Sequence, residues 1–583
     1  MTRRDAVAAL ALGVLAFAAY LPAIRLEFAA DDFLILDNLQ KLEGLRHAAA
    51  YFEVNFYAYY RPLVFLSYAL DWSLWGIDAA GFHLTNVLLH AVNAMLVYAL
   101  ARRLTDATAA SVAALVFVLH PVNQEAVFWV SGRFDLLATA WILGSLVLLW
   151  SPRPWPYWIG AACFALALLS KESAATVVIL AAAHGVLIEG RDRRWAVARL
   201  VPLFVISAGY VVARSAAGVA AVGGPQRIGK VLMLLAAVAA VLWLARSSAG
   251  ASAARAPDRP GTPRKPMVRA VAVASLVALV LAGLVSMPQM RDLVGPSLGF
   301  ATYAMYYLGP AALWPSSPGF LDPNHLSWAI GGVAGVALAA GLMAAGWVWL
   351  RARPALLLAV LIVGGALVPV SGIPGLPHLY VASVGAALFF ALVTARIPTP
   401  ALRTAAVFVV LVAAGANLAA ATARWQQTSE MTRGAVALVA SHPVPCADRE
   451  VVLLTAPSGV DGIPCNLNYE TFRFLGQCVP RALHTLLRVM REDTEVEVTR
   501  PAADVIELRV RNYRGNIMAS EDLRNYRVQV RAEGLTASVN TPIGRLETRP
   551  EGTSQLFRLT LTPDASSATF YYYSRRQLHA VPE

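Results

Sequence analysis

Thirteen apolar runs, most of them close to the ~20 residues a helix needs to cross a bilayer, constrain this chain more than any other feature. They fall near 6–24, 82–101, 108–122, 134–150, 157–170, 173–189, 196–215, 229–246, 268–287, 326–350, 355–371, 378–395 and 402–421. Composition agrees: of 583 residues, 58% are hydrophobic and only 14% charged, and the mean hydropathy is +0.57. The reading is a polytopic α-helical membrane protein of about 13 spans, range 11–14.

The formal charge of +12 would suggest a nucleic-acid partner in a soluble protein. Here the basic residues instead sit in short loops between apolar runs, where they set topology: Arg102-Arg103, Arg153, Arg191 to Arg194, Arg246 to Arg269, Arg351 with Arg353, and Arg396 to Arg403. Those loops are expected on the cytoplasmic side together with the N-terminus, and residues 6–24 read as a signal-anchor helix behind Arg3 and Arg4. The opposite loops (25–81, 120–133, 216–228, 288–325 and 371–377) are expected outside, and they gather Trp, Tyr, His and the acidic residues. Residues 297–314, rich in Tyr, Gly and Pro, read as interfacial or re-entrant, and 247–267 has the composition of a disordered cytoplasmic linker.

The chain thus divides into a membrane domain, 1–423, and a polar tail, 424–583. The tail alternates like strands in EVEVTR, VIELRVR, RVQVRA, LFRLTLT and ATFYYYS, and VVLLTAPSGVDG at 451–462 suits a core strand and turn. A small β-rich (α+β) extracytoplasmic domain is expected, with one helix near Pro480 to Arg491. Cys163 lies in an apolar run as inert packing, while Cys446, Cys465 and Cys478 could provide one disulfide if the tail lies outside.

Candidate chemistry gathers in the outer loops. The stretch HPVNQEAVFWVSGRFDLL places His120, Glu125, Arg133 and Asp135 between two apolar runs, where charge is costly unless it is used or neutralised within a structural network. Asp31 and Asp32 follow the first run directly; such acids can act as a general base, ligate a divalent cation, or merely cap the next helix. NFYAYYRPL ends in Arg61, whose planar fork matches phosphate oxygens, although its tyrosines also suit an interfacial belt. His83, Asn86, His90 and Asn93 fall at offsets that confine them to a helix face about 80° wide. That seam is either an interhelical hydrogen-bonding surface or a substrate-facing wall. Lys171-Glu172 interrupts another apolar run and could neutralise a lipid phosphate or form its own pair. Walker, GxGxxG, HExxH and GxSxG motifs are absent from the sequence, as is CxxC with a partner, which weighs against ATP-driven transport, zinc hydrolysis and serine hydrolase chemistry.

Taken together, YRPL at 60–63, HLTNVLLHAVNA at 83–94, HPVNQEAVFWVSGRFDLLA at 120–138, LLSKE at 168–172 and LYVASVG at 379–385, with the preceding acidic pair, resemble the GT-C superfamily of polyprenyl-phosphate-dependent glycosyltransferases. The resemblance covers roughly the first 420 residues and points to the tetratricopeptide-bearing transmembrane O-mannosyltransferases and their bacterial relatives. It implies a GT-C-like fold in a bacterial inner membrane and transfer of a sugar from a polyprenyl-phosphate donor to an acceptor on a protein, glycan or lipid. Asp31 or Asp32 would be the base. Lys171 and Arg133, with Arg61, would hold the lipid phosphate. His120, Glu125 and Asp135 would line the donor site, as would His83, His90 and Tyr380. No cofactor is fixed by the resemblance: some branches use a divalent metal, which Asp31 and Asp32 would have to ligate, and others do not. Two departures stand out. Pro377-His378 replaces the Arg-Tyr common in the family, so a contact there passes to His378, and the tail has no tetratricopeptide repeats. A transporter or flippase of a lipid-linked substrate and a non-catalytic scaffold are the alternatives.

Overall fold

The computed structural model describes residues 2–53, 59–151, 154–189, 193–218, 353–370, 376–441 and, with short interruptions, 450–581. Helices α1 to α10 span Arg3–Tyr20, Asp32–Lys41, Pro62–Trp75, Ala79–Ala101, Ala107–Leu119, Asn123–Phe128, Arg133–Leu149, Pro154–Ser170, Thr176–Leu187 and Arg193–Ala216; α11 to α13 span Pro354–Val370, Tyr380–Thr394 and Pro400–Ser441. All ten expected spans that fall on described residues are helical. Among the described residues five segments are long and apolar enough to cross a membrane: Arg3–Arg25, Ala79–Ala101, Val130–Leu149, Ala198–Ala216 and Pro400–Gly434. Five more apolar helices are shorter; α5, at 13 residues, rises only ~20 Å against a hydrocarbon core of ~30 Å. The expected spans at 229–246, 268–287 and 326–350, the linker 247–267, the re-entrant segment and Cys446, Cys465 and Cys478 lie outside the described residues. Cys163 is buried and unbridged.

The helices pack by small residues and by a few polar ties. Thr2 caps α1 in a reciprocal box with Asp5, and Asp5 then accepts from Arg102 Nε (2.7 Å) and the Tyr98 hydroxyl (3.1 Å), pinning α1 to α4. Asp106 caps α5. Gly385 lets α12 close on α11, since a Cβ there would stand 2.6 Å from the Ala359 carbonyl oxygen. At one end of the bundle Arg103 donates to the Trp150 carbonyl (3.1 Å) and Arg199 to the Ser151 carbonyl (3.2 Å).

At the other end the expected outer loop over 25–81 carries secondary structure of its own. α2 and α3 form there, with a run of 3-10 helix over Gly44–Phe52. Phe28, Phe33, Leu36, Leu39, Tyr51, Phe65, Tyr68 and Phe82 make a second core that covers this end. The boundary signals for α3 are in the sequence: Pro62 takes the first helical position, and Gly76 follows the last turn at φ +61°.

Helix α13 runs past residue 423, and the tail then forms thirteen described strands: Glu450–Pro457, Gly459–Val460, Ile463–Pro464, Ala482–Val489, Glu495–Ala502, Val505–Arg511, Gly515–Met518, Gln529–Arg531, Ala537–Thr541, Gly544–Glu551, Ser554–Leu561, Thr569–Ser574 and Gln577–Ala580, named β1 to β13. They build a mixed sheet in the order β13-β12-β1-β4-β7-β8, an antiparallel sheet β5-β6-β11-β10-β9 and a small β2-β3 ladder. Val452, Leu487, Leu508, Leu546, Phe557 and Phe570 belong to one core. All five alternating segments read from the sequence are strands. The helix expected near 480–491 is not there: Ala482–Val489 is β4, paired in parallel with β1 along its whole length. Leu483, Leu486, Leu487 and Met490 recur at helical spacing, so the local pattern favours a helix where pairing with β1 makes a strand.

Candidate active site

The outer-loop residues converge at the end of the bundle opposite the arginines. α1 delivers the acidic pair there. Ala30 precedes it at φ +47°, a conformation that costs a residue with a Cβ roughly 1–3 kcal/mol and persists only where its surroundings enforce it. Asp32 supplies the enforcement: its Oδ2 accepts from Ala29 N (2.9 Å), and its Oδ1 accepts from Ser131 N (2.8 Å) and Ser131 Oγ (2.6 Å). Trp129 Nε1 donates to the Ala29 carbonyl (3.1 Å) on the same turn. Asp32 is 1% exposed, and burial pushes its carboxyl up to about 7 against the pull of those donors. Asp31, next to it at the start of α2, is exposed. The two acids therefore separate into an anchor and a surface carboxyl.

A pair of cation–carboxylate contacts forms at the same end of the bundle. Lys171, where α8 ends, places Nζ 2.6 Å from both oxygens of Asp135 in the first turn of α7 and 3.2 Å from His378 Nδ1. Lys171 and Asp135 are buried, whereas the His378 side chain is 27% exposed. Arg61, just before α3, donates from Nε (3.1 Å) and Nη2 (2.8 Å) to the two oxygens of Glu172. Its guanidinium stacks on Tyr59 at 4.1 Å and lies 5.2 Å from the Phe134 ring centre. Lys171 and Glu172 are neighbours in the chain, so one turn of backbone joins Arg61, Glu172, Lys171, Asp135 and His378.

Other expected site residues lie inside the protein. Arg133 is fully buried: it pairs with Asp71 of α3 at 2.6 Å, donates to Asn86 Oδ1 (2.9 Å) and to the carbonyls of Phe82 (2.7 Å) and Ser67 (3.3 Å), and lies over the Tyr68 ring. With its donors engaged by protein it locks α3, α4 and α7 together. The seam of α4 resolves the same way. His83, Asn86, His90 and Asn93 are all 0% exposed. Asn86 Nδ2 donates to the Trp129 carbonyl (2.9 Å) and Asn93 Nδ2 to the Leu136 carbonyl (3.0 Å), while His90 Nδ1 lies 2.6 Å from the Tyr380 hydroxyl. Asn86, Asn93 and His90 thus form a hydrogen-bonding surface for the 129–136 segment and α12, and Tyr20, Phe117 and Tyr380 close aromatic contacts around His90. His120 ends α5 and accepts from Val122 N at 3.3 Å. Glu125, on α6, is half-buried, and desolvation raises its carboxyl to about 7.

Ser131 and Asp71 were not picked out from the sequence. Ser131 carries no motif signal, but Asp71 does: a lone acid inside the apolar run of α3 asks for a cation. As to a metal, among the described residues no three His, Cys, Asp or Glu side chains gather around a common point. Asp32 accepts three hydrogen bonds on its two oxygens.

Residues 61–216 match the family model described as dolichyl-phosphate-mannose-protein mannosyltransferase. The chain is 29% identical over 202 residues to protein O-mannosyl-transferase TMTC2 of Homo sapiens, covering 31% of this chain and 24% of that protein. It is 31% identical over 195 residues to protein O-mannosyl-transferase Tmtc1 of Drosophila melanogaster, covering 31% and 23%. The chain thus spans about a quarter of the length of these curated relatives. Among solved structures it is similar to the Archaeoglobus fulgidus oligosaccharyltransferase AglB in complex with an inhibitory peptide and a dolichol-phosphate, at 14% identity and a TM-score of 0.42, covering 82% of this chain and 64% of that one. The sequence matches bear out the resemblance to membrane glycosyltransferases that the motifs carry.

Proposed function

We propose that the chain is an integral-membrane glycosyltransferase that moves a sugar from a polyprenyl-phosphate donor to an acceptor hydroxyl at the extracytoplasmic face. The observation that supports this reading is that two cations, Arg61 and Lys171, and an exposed carboxyl, Asp31, fall at the same end of the apolar bundle. The segment holding the two cations lies within the matched residues 61–216.

Transfer needs three things of the protein. A phosphate leaving group must be held and its growing charge balanced, the acceptor proton must be taken, and the reacting atoms must be kept in line. Arg61 offers a planar fork and Lys171 a point charge for the first task. Asp31 takes the second, receiving the acceptor proton as the acceptor oxygen attacks the anomeric carbon and the sugar–phosphate bond breaks. Asp32 and Ser131 fix where Asp31 stands; they are positioning residues. Asp135 and His378 set the place of Lys171, while Arg133, His83, His90 and Tyr380 hold the helices that carry the site. His120 and Glu125 line the approach from α6. In this reading the division at 423/424 separates the catalytic part from a tail domain, and that tail lies on the same outer side as the site.

The test is purified protein in liposomes with a panel of polyprenyl-phosphate monosaccharides and candidate acceptors. Loss of the sugar from the lipid with accumulation of polyprenyl phosphate is the expected result. Passage of intact donor across the bilayer without cleavage would replace the reading with transport.

A further inference from the structure

The Arg61 guanidinium is enclosed on its faces and occupied at one edge. Tyr59 covers one side at 4.1 Å and Phe134 approaches at 5.2 Å. The edge formed by Nε and Nη2 is taken by Glu172 in the two-point fork that a phosphate would also adopt. The two carboxylates of the site differ in how easily they can leave. Asp135 has a 5% exposed side chain and holds Lys171 with both oxygens. The Glu172 side chain is 38% exposed, so solvent can receive it when it lets go, while its cation is only 9% exposed and cannot follow. A carboxylate leaving toward water loses little, whereas a buried guanidinium left alone loses much. Another anion must therefore enter as Glu172 departs.

We propose that Glu172 is a competing anion built into the site: a lipid-linked phosphate binds Arg61 by exchange with Glu172, not by joining the existing pair. This rests on the reading that Arg61 holds the donor phosphate. Exchange ranks ligands by charge: the donor, a phosphodiester, carries one negative charge like Glu172 and meets the fork with its two free oxygens, whereas the polyprenyl monophosphate left after transfer can carry a second charge and competes more strongly for the edge. It also places the displaced carboxylate one residue from Lys171, so the incoming phosphate meets both cations.

The experiment uses the full chain in lipid nanodiscs, with a sugar-free polyprenyl monophosphate as probe and the matching polyprenol as control. Affinity is measured for the wild type, Glu172→Gln, Arg61→Gln and the double variant. Glu172→Gln is expected to bind the phosphate roughly tenfold tighter, Arg61→Gln to bind it at least tenfold more weakly, and Glu172→Gln to change nothing once Arg61 is gone. The thermal midpoint of Glu172→Gln should fall without the probe and recover when the probe saturates, which also reports that the variant folds. Glu172→Asp, too short to span both nitrogens, should lie between wild type and Glu172→Gln. Unchanged or weaker binding in folded Glu172→Gln, with Arg61→Gln still impaired, would overturn exchange and leave Arg61 as a phosphate ligand. Unchanged binding in Arg61→Gln would overturn the phosphate reading and exchange with it.

Discussion

Neighbouring residues in this site have opposite fates. Asp31 and Asp32 look equivalent in the sequence, yet one carboxyl is exposed and the other is sealed under Ser131 and the Ala29 amide. Arg133 and Arg61 likewise look equivalent as phosphate ligands, but only Arg61 faces a partner that solvent can reach. Arg133→Ala should therefore fail in folding before it fails in chemistry. It strands Asp71 in the interior at a cost of about 3–5 kcal/mol, to be read as loss of monodisperse protein or a lowered thermal midpoint. A second expectation follows from the two buried acids. Asp32 and Glu125 have folded-state values pushed up to about 7, well above the ordinary carboxylate values they would have unfolded. Between those limits these two carboxyls hold protons in the folded chain that the unfolded chain has lost, so the stability each contributes is lost as pH rises toward 7. Glu125→Gln removes one of these contributions, so its thermal midpoint relative to that of the wild type should rise from pH 5 to pH 7.5. Equal slopes would remove Glu125 from this account.

Helices were the readable elements and their junctions were not. The polar period of α4 located a seam correctly, because offsets of three, four and seven residues fix a helix face regardless of what lies opposite. What lies opposite is the backbone of residues 129–136, a contact no local pattern encodes. The ends of α3 are marked by Pro62 and Gly76 inside what the sequence presents as one outer loop, and β4 presents as a helix because its apolar residues Leu483, Leu486, Leu487 and Met490 fall at helical spacing. The Asp32–Ser131 contact joins residues 99 apart in the chain, and its partner is a serine in a short 3-10 turn, so nothing in the sequence announces it. That turn depends on Gly132. A Cβ at Gly132 would stand 2.2 Å from the Ala126 carbonyl oxygen and 2.6 Å from its Cα, so Gly132→Ala must push α6 away from α7 and carry Ser131 off Asp32. The substitution should cost about 1–3 kcal/mol and lower transfer more than Ser131→Ala does, measured as thermal midpoint and initial rate on the same samples.

At the scale of the whole molecule, the distribution of charge that orders the loops in the sequence also orders the bundle in space. Arg102, Arg103 and Arg199 meet at one end through Asp5 and the carbonyls closing α7, and Asp31, Arg61, Lys171 and His378 gather at the other. A chain so apolar can keep charge only at its ends or in neutralised knots, and both are present. This is why the place of the site could be read before its geometry, and why its occupants needed the fold. The account stands on Asp31 as the base and Asp32 as its anchor. The most direct measurement is single-turnover sugar transfer from a polyprenyl-phosphate donor by purified wild type, Asp31→Asn and Asp32→Asn, with the thermal midpoint of each sample. Asp31→Asn should lose about 10²-fold or more in rate at an unchanged midpoint, while Asp32→Asn should lose rate together with stability. Wild-type turnover by folded Asp31→Asn would contradict the account.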